Sequence, residues 1–162
     1  MEDMCREAVQ DDVQALSDLF WDTVSSDPSY ISHGELQMGV ACGQGVLADD
    51  GKRKWQRYIA EKISAPTSRV FVAEADGAIR GFVVAEVASD GDRPFGVICD
   101  LIVRRDLRGE GLGGVLLGRG REWLAGRGVD AVYLESGVGN HNAHAFFEHH
   151  GFSMVSHVFR LG

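Results

Sequence analysis

The sequence has few cysteines, few prolines and no long apolar run. Its three cysteines, Cys5, Cys42 and Cys99, are an odd and scattered set, which does not suit a disulfide framework. No apolar stretch approaches the about 20 residues that a membrane-spanning helix needs. The acidic N-terminus has neither the basic nor the apolar region of a secretory signal. We therefore expect a reduced, cytoplasmic protein without a membrane partner.

Positive charge is also scarce. The formal net charge is −8, which argues against general binding to nucleic acid or to anionic membranes. Residues 1–50 contain eleven acidic residues and one basic residue, whereas residues 104–127 contain six arginines and three acidic residues. This asymmetry favours a cationic partner for the first segment and an anionic one for the second. The alternative is that the acidic surface only aids solubility.

What the sequence does contain is a sufficient core for one domain. With 162 residues, 44% of them hydrophobic, we expect a single globular domain over 1–162. Apolar spacing predicts a short strand at 4–8, helices over 11–25 and near 55–63, and a loop or short helix over 27–50.

The second half of the chain predicts a sheet. Three strands at 70–73, 79–87 and 95–103 are joined by short turns, the first of them the hairpin signal Asp76-Gly77, and they predict an antiparallel meander. The remaining predicted elements are a helix over 112–124, a strand at 132–134 parallel to 95–103, a helix over 140–149 and a final strand at 153–161.

A glycine-rich turn follows the third strand of the meander. Glycines at 109, 111, 113 and 114 leave consecutive backbone N–H groups uncovered where a helix begins. This arrangement binds an anionic phosphate through the amides and the helix dipole, and Arg108 adds a cation.

Two motifs identify a family resemblance. The stretch from Arg108 to Gly113 matches the signature Arg/Gln-x-x-Gly-x-Gly/Ala. A second pattern, Asn-x-x-Ala-x-x-Phe-Tyr-x-x-x-Gly-Phe, corresponds to Asn140, Ala143, Phe146, Phe147, Gly151 and Phe152. With the predicted order of elements, they make nearly the whole chain resemble the GNAT superfamily of acyl-CoA-dependent N-acetyltransferases.

The resemblance implies a fold and a co-substrate site. The fold is α/β (α+β), with a mixed, mostly antiparallel twisted sheet of about six to seven strands, four flanking helices, and central strands splayed around CoA. Acetyl-CoA and an amine acceptor are the implied partners, without a metal, and family members are often homodimers. The implied CoA-binding residues are Leu101, Ile102 and Val103 for the pantetheine arm, Arg108, Gly109, Glu110, Gly111, Leu112, Gly113 and Gly114 for the pyrophosphate, and Asn140, Ala143, Phe146 and Phe147 of the second motif.

The implied reaction is direct transfer of an acetyl group to a primary amine in a ternary complex. A backbone N–H near Ile102 is expected to stabilise the developing oxyanion. The amine must lose a proton, and the nearest carboxylate that could accept it is Asp100, with Glu86 and Glu135 on neighbouring strands as further candidates. The alternative for Asp100 is a structural role, bonded to the backbone of an adjacent element. Residues 1–50 favour a small cationic acceptor, with Tyr30 and His33 as candidate contacts.

One position departs from the family pattern. Phe147 stands where many members have a tyrosine that protonates the leaving thiolate, and a phenyl ring has no proton to donate. Tyr133, His144 or a water molecule are candidate substitutes. The alternative function is a non-catalytic acyl-CoA-binding or sensing module on the same fold.

Two other site types are disfavoured. The glycines at 109, 111 and 114 fit a dinucleotide-binding fingerprint with Glu135 as the distant acid, but a meander precedes them and too little chain follows. His141 and His144 have metal-ligand spacing, yet no cysteine or carboxylate completes a familiar set.

Overall fold

The computed structural model describes residues 4–43 and 45–162, and its main feature is a five-stranded sheet with the strand order β1-β4-β5-β6-β7. Strands β2 and β3 form a separate hairpin. In chain order the elements are β1 (Cys5–Glu7), α1 (Val13–Ser26), α2 (His33–Met38), β2 (Ala41–Gly43), β3 (Val46–Leu47), α3 (Gly51–Ser64), β4 (Ser68–Ala75), β5 (Ala78–Asp90), β6 (Arg93–Val103), α4 (Leu112–Ala125), β7 (Val132–Leu134) and α5 (His141–His149).

The predicted meander is present. Strands β4, β5 and β6 pair antiparallel in sequence order. The turn between β4 and β5 places Asp76 at φ 52° and Gly77 at φ 74°, and two successive residues with positive φ match the twist of the flanking strands. Strand β7 runs parallel to β6, as expected when a helix crosses between two strands.

Apolar side chains cover both faces of the sheet. On one face, α1 and α3 pack through Phe20 and Trp55, whose rings stack with centroids 4.2 Å apart. On the other face, α4 buries Leu116, Leu117 and Leu124. The central strands therefore lie between two helical layers, which explains their nearly continuous apolar sequence.

Strand β6 contains a bulge and then loses one neighbour. Its register to β5 shifts so that Ala85 opposes Ile98 and Val84 opposes Asp100, with Cys99 as the extra residue. Strand β7 pairs with β6 only from Gly96 to Ile98. β7 ends at Leu134, so beyond Ile98 β6 is open on this side, as the predicted splay requires.

The predicted final strand at 153–161 is wrong. Residues 153–162 form no strand, and every one of them is exposed. The described sheet accordingly has five strands, and five α-helices accompany it rather than four. The segment 27–50, expected as a loop or short helix, holds α2 and the β2–β3 hairpin. Across residues 4–43 and 45–162, no helix has the length and apolarity needed to cross a membrane.

Two of the four glycines in α4, Gly118 and Gly120, differ in their surroundings, which gives a test of the packing. A Cβ added at Gly120 would lie 3.2 Å from Ile98 Cδ1 and 3.4 Å from Val83 Cγ2, whereas one at Gly118 would meet nothing within 4 Å. We expect Gly120→Leu to lower the free energy of unfolding by about 1–3 kcal/mol through overpacking. The matched variant Gly118→Leu should raise it by up to about 1 kcal/mol, because leucine is a better helix former. Urea denaturation measures both, and equal effects would contradict close packing of α4 on the sheet.

Candidate active site

The glycine-rich turn presents a group of unused amides at the start of α4. Gly109 and Gly111 have φ values of 82° and 88°, which glycine adopts without strain. The backbone N–H groups from 109 to 114 donate to no described residue. They lie at the N-terminus of a 14-residue helix, where the dipole favours an anion. This geometry fits a pyrophosphate.

Arg108 connects this turn to the 27–50 segment. Its Nε–H donates to the carbonyl of Val103 at 3.1 Å, and its guanidinium lies 5.1 Å from the centroid of the Tyr30 ring. Tyr30, predicted as an acceptor contact, therefore lies beside the glycine-rich turn.

The two sequence motifs meet in space. A Cβ at Gly113 would lie 3.3 Å from the ring carbons of Phe146, so α5 packs directly on the start of α4. Asn140 is 7% exposed and caps α5, because its side-chain oxygen accepts a hydrogen bond from the N–H of Ala143 at 3.3 Å. Phe147 packs edge-on against Phe146 and Phe152, in contacts that require no hydroxyl.

The splay of β6 and β7 leaves backbone available on β6. Leu101, Ile102 and Val103 pair with β5 but have no partner on the β7 side within the described sheet. An extended ligand arm can hydrogen-bond there as a strand would.

A cavity of about 190 Å³ lies beside this segment of β6. Its lining combines carboxylates with aromatic rings and comes from α2, α3, β6 and the end of β7: Ser32, Gly34, Glu35, Met38, Trp55, Tyr58, Val97, Ile98, Cys99, Asp100 and Glu135. No arginine or lysine belongs to this set of described residues. The cavity is therefore suited to a cation rather than an anion.

Asp100 is the chemically unusual group in this cavity. The Tyr58 hydroxyl donates to its Oδ2 at 2.9 Å. Burial raises the pKa of Asp100 from 3.8 to about 8, and the negative charge of Glu35 adds to this, while the Tyr58 hydrogen bond and Lys62 oppose it. Shifts of this kind are typical of groups that exchange protons at functional sites.

The two neighbours of Asp100 keep their protons near neutral pH. Burial, and then the charge of Asp100, raise the pKa of the Cys99 thiol to about 11. Burial also raises the pKa of Tyr58 well above its ordinary value. Because a thiolate is the nucleophilic form of cysteine, Cys99 is poorly suited to form an acyl-enzyme.

The other predicted catalytic residues lie elsewhere. Glu86 forms an ion pair with Lys62 and is not part of the cavity lining. Tyr133 is half-exposed and packs edge-on against Phe95, with centroids 5.7 Å apart. Of the predicted catalytic residues, Asp100 and Glu135 line the cavity, whereas Glu86 and Tyr133 do not.

His33, the second predicted acceptor contact, bridges two sides of the cavity. Its Nε2 lies 2.9 Å from the Glu135 carboxylate, so the start of α2 is joined to the end of β7. His144 instead contacts the carbonyl of Gly137 at 2.9 Å. Within the described part of the chain, no group of three or more histidines, cysteines and carboxylates is placed to hold a metal ion.

Sequence reasoning missed Glu35 and Tyr58. The signal for Glu35 was the spacing Ser32-x-x-Glu35, a capping box in which Glu35 accepts hydrogen bonds from the Ser32 N–H and hydroxyl. Tyr58 has the helical spacing of a core residue, and only tertiary structure shows that its hydroxyl meets Asp100.

The raised pKa of Asp100 has a consequence for stability. Between pH 3.8 and about 8 the folded protein holds a proton on Asp100 that the unfolded chain has lost, so the stability contributed by this group falls as pH rises through this window. We expect the wild type to lose free energy of unfolding relative to Asp100→Asn from pH 5 to pH 8. Denaturant titrations at several pH values measure the difference, and parallel pH profiles would contradict a buried, protonated Asp100.

Comparison with solved structures shows the same fold over the whole chain. A Bacillus halodurans protein matches with a TM-score of 0.76 at 18% identity, covering 98% of both chains. An aminoglycoside 6′-N-acetyltransferase from Acinetobacter haemolyticus matches with a TM-score of 0.72 at 12% identity, covering 98% of this chain and 96% of that one. The aminoglycoside N-acetyltransferase AAC(6′)-Iy in complex with CoA matches with a TM-score of 0.69 at 16% identity, covering 98% of this chain and 97% of that one.

Sequence comparison adds a relative and a family. An uncharacterised N-acetyltransferase of Methanocaldococcus jannaschii is 31% identical over 105 residues, which are 62% of this chain and 46% of that protein. The chain thus spans about half the length of this curated relative. The model of the acetyltransferase (GNAT) family matches residues 35–152, a region that contains both motifs, β6 and the cavity carboxylates. The predicted resemblance is confirmed, and this chain belongs to the GNAT acetyltransferase family.

Proposed function

We propose that this protein transfers an acetyl group from acetyl-CoA to a primary amine of a small cationic acceptor, in a ternary complex. The observation that carries this proposal is the position of Asp100. It lies in an acidic cavity on the same segment of β6 whose other edge is left open by the splay. One strand thus offers a base to the amine and unpaired backbone to the acyl donor.

The residues present fit acetyl-CoA. The free amides of 109–114 suit its pyrophosphate, and the open edge of Leu101–Val103 suits its pantetheine arm. Beside these amides α5 packs on α4, with Asn140 capping α5 and Phe146 lying against Gly113. When bound, acetyl-CoA supplies the thioester that is the source of the acetyl group.

Asp100 acts as the base in this proposal. An amine similar to lysine has a pKa of about 10.4, and a carboxyl with a pKa of about 8 is a far better proton acceptor for it than an ordinary carboxylate. Tyr58 engages Oδ2, which leaves Oδ1 for the amine. A backbone N–H on the open edge of β6, at Leu101 or Val103, then stabilises the oxyanion as the new N–C bond forms and the C–S bond breaks.

The leaving thiolate receives its proton from solvent. Phe147 has no proton to donate, and Tyr133 and His144 do not line the cavity. A thiol has a pKa of about 8.5, so its thiolate leaves near neutral pH without a dedicated acid.

The cavity chemistry favours a particular acceptor class. Glu35 and Glu135 attract a positive charge, and the rings of Trp55 and Tyr58 can contact a cation through their faces. An apolar cavity of about 150 Å³ accommodates benzene, so about 190 Å³ admits one aminoalkyl arm or one small ring. Polyamines and aminoglycosides both present such arms.

A second candidate is a non-catalytic acyl-CoA sensor, and Phe147 is the observation that favours it. A sensor would bind acetyl-CoA without releasing CoA in the presence of any amine. The two tests below separate binding from turnover.

Acetyl-CoA binding is expected to depend on the glycine-rich turn. Acetyl-CoA at a hundred times its Kd should stabilise the wild type by about 2.7 kcal/mol and raise Tm by several degrees. Gly111→Glu should abolish this rise, because a carboxylate would occupy the anion site. Gly128→Glu is the matched control, since Gly128 is also exposed with positive φ, 76° against 88°. Equal shifts in both variants would overturn the placement of the co-substrate.

Turnover is expected to depend on Asp100 and on acceptor charge. In a thiol-reactive dye assay of CoA release, Asp100→Asn should lower kcat by about 10²–10⁴-fold with acetyl-CoA affinity retained. Glu86→Gln, the matched acid-to-amide control, should have little effect. The wild-type kcat/KM should rise with pH and level off above about pH 8, where Asp100 is ionised.

Three acceptors of equal chain length test the charge preference. We expect KM to rise from 1,6-diaminohexane through hexylamine to 6-aminohexanoate, because the cavity carboxylates attract the second ammonium and repel the carboxylate. A KM for 6-aminohexanoate below that for 1,6-diaminohexane would refute a preference for cationic acceptors. Acetyl-CoA binding without CoA release for any amine, with an aminoglycoside included, would favour the sensor.

A further inference from the structure

A groove of about 570 Å³ lies beside the acceptor cavity. Val97 and Glu135 line both spaces, so the groove and the cavity meet at these two residues. The Glu135 carboxylate is held there by His33, whose Nε2 lies 2.9 Å from it. Because the cavity of about 190 Å³ admits only one arm of an acceptor, the groove is the adjoining space into which the rest of the molecule can extend.

The middle of the groove is apolar. Phe95 and Val97 are two residues apart on β6 and therefore lie on the same face of the sheet. Tyr133 of β7 is directly opposite Val97 in the register, and Leu134 completes the apolar lining. Ligand sites are typically apolar and aromatic surfaces with a few polar groups, and this groove has that composition.

The core does not use the two aromatic rings of the groove. Among the described residues, Phe95 and Tyr133 belong to neither of the apolar clusters that cover the faces of the sheet, and Tyr133 is 50% exposed. The two rings meet edge-on, at an interplanar angle of 90°. In such a pair, the ring that presents its edge keeps both of its faces free of the other ring, and a further aromatic ring can stack there.

The charged residues of the groove lie at its two ends. Asp90 and Arg93 oppose each other in the register at the tip of the β5–β6 hairpin, and Glu135 lies at the junction with the cavity. Between these ends, the described lining residues have no charged side chain. This middle part therefore suits an uncharged, flat ring.

The distance from the proposed base to the groove sets the length of the acceptor arm. Asp100 and Val97 are three residues apart on β6, which is about 10 Å along an extended strand. A ring joined to the amine through a single carbon would remain inside the cavity. A ring on an arm of several carbons would pass Val97 and reach the groove.

We propose that the groove is a second acceptor subsite, which binds an aromatic ring joined by an alkyl arm to the amine that enters the cavity. This inference rests on the proposed function and narrows its acceptor class to amines with a ring at the far end of the arm. Tyr133 and Phe95 determine specificity in this subsite, and neither takes part in proton transfer.

Two amines with the same four-carbon arm test the subsite in the assay of CoA release. We expect the wild-type KM for 4-phenylbutylamine to be about tenfold below that for butylamine, the order of effect that one aromatic contact and its buried area give. Tyr133→Ala should bring the ratio of the two KM values close to one, whereas Tyr133→Phe, which keeps the ring, should preserve the ratio. Phe95→Ala applies the same test from the neighbouring strand.

Phe159→Ala is the matched control. Phe159 is an aromatic residue that is 92% exposed and lies outside the groove lining, so its removal should keep the wild-type ratio. A retained rise in Tm with acetyl-CoA shows that each variant is folded.

Three results would contradict the subsite. A KM ratio near one in the wild type, or a ratio that persists in both Tyr133→Ala and Phe95→Ala, means that the groove does not hold the acceptor. Because an apolar cavity of about 150 Å³ accommodates benzene, a KM for benzylamine below that for 4-phenylbutylamine places the ring in the cavity instead. A kcat reduced for every amine by Tyr133→Phe contradicts a role in specificity alone.

The same assay separates this inference from the proposed function. If no amine releases CoA, with 1,6-diaminohexane included, the proposed function fails and the subsite fails with it. If 1,6-diaminohexane releases CoA and the ring gives no advantage, only the subsite is overturned.

Discussion

Strand β6 is the constraint on which the rest of the structure depends. From Gly96 to Ile98 it is paired on both sides, and beyond Ile98 it keeps only β5. The bulge at Cys99 also changes the side-chain alternation. Ile98 packs towards α4, whereas both Cys99 and Asp100 face α3, where Asp100 meets Tyr58. If the side chains alternated regularly through this stretch, Asp100 would share the face of Ile98 and be directed into the apolar layer under α4.

That position makes Asp100 unfavourable for stability and useful for chemistry. A carboxyl enclosed by protein resists ionisation, and Glu35 nearby increases the resistance. The loss of solvation that destabilises the ionised carboxylate also raises its pKa, and a higher pKa makes the carboxylate a stronger proton acceptor. Tyr58 limits the effect by donating a hydrogen bond, and it contributes no charge of its own, because its own pKa is raised.

The 27–50 segment encloses the site because several contacts hold it to the sheet. His33 reaches Glu135 at the end of β7, and Tyr30 lies against Arg108 beside the glycine-rich turn. Gly137 leaves space for the Ser29 carbonyl, which any Cβ would obstruct. The acceptor side and the phosphate side of the proposed site are therefore linked through one short stretch of chain. A ligand that moves Arg108 would also affect Tyr30.

The sequence by itself determined the family, the meander and the glycine-rich turn, because these depend on local patterns. Asp76-Gly77 requires two positive φ values, and the glycines at 109 and 111 expose amides in any fold that starts a helix there. Tertiary structure decided the surroundings of each candidate carboxylate. Along the chain Asp100 was the nearest carboxylate, with Glu86 and Glu135 as further candidates, and a one-residue bulge, an ion pair to Lys62 and a contact with His33 distinguish them. It also decided the state of residues 153–161, which have the pattern of a strand but pair with no strand among the described residues, because strand pairing is a property of the sheet edge available and not of the segment alone.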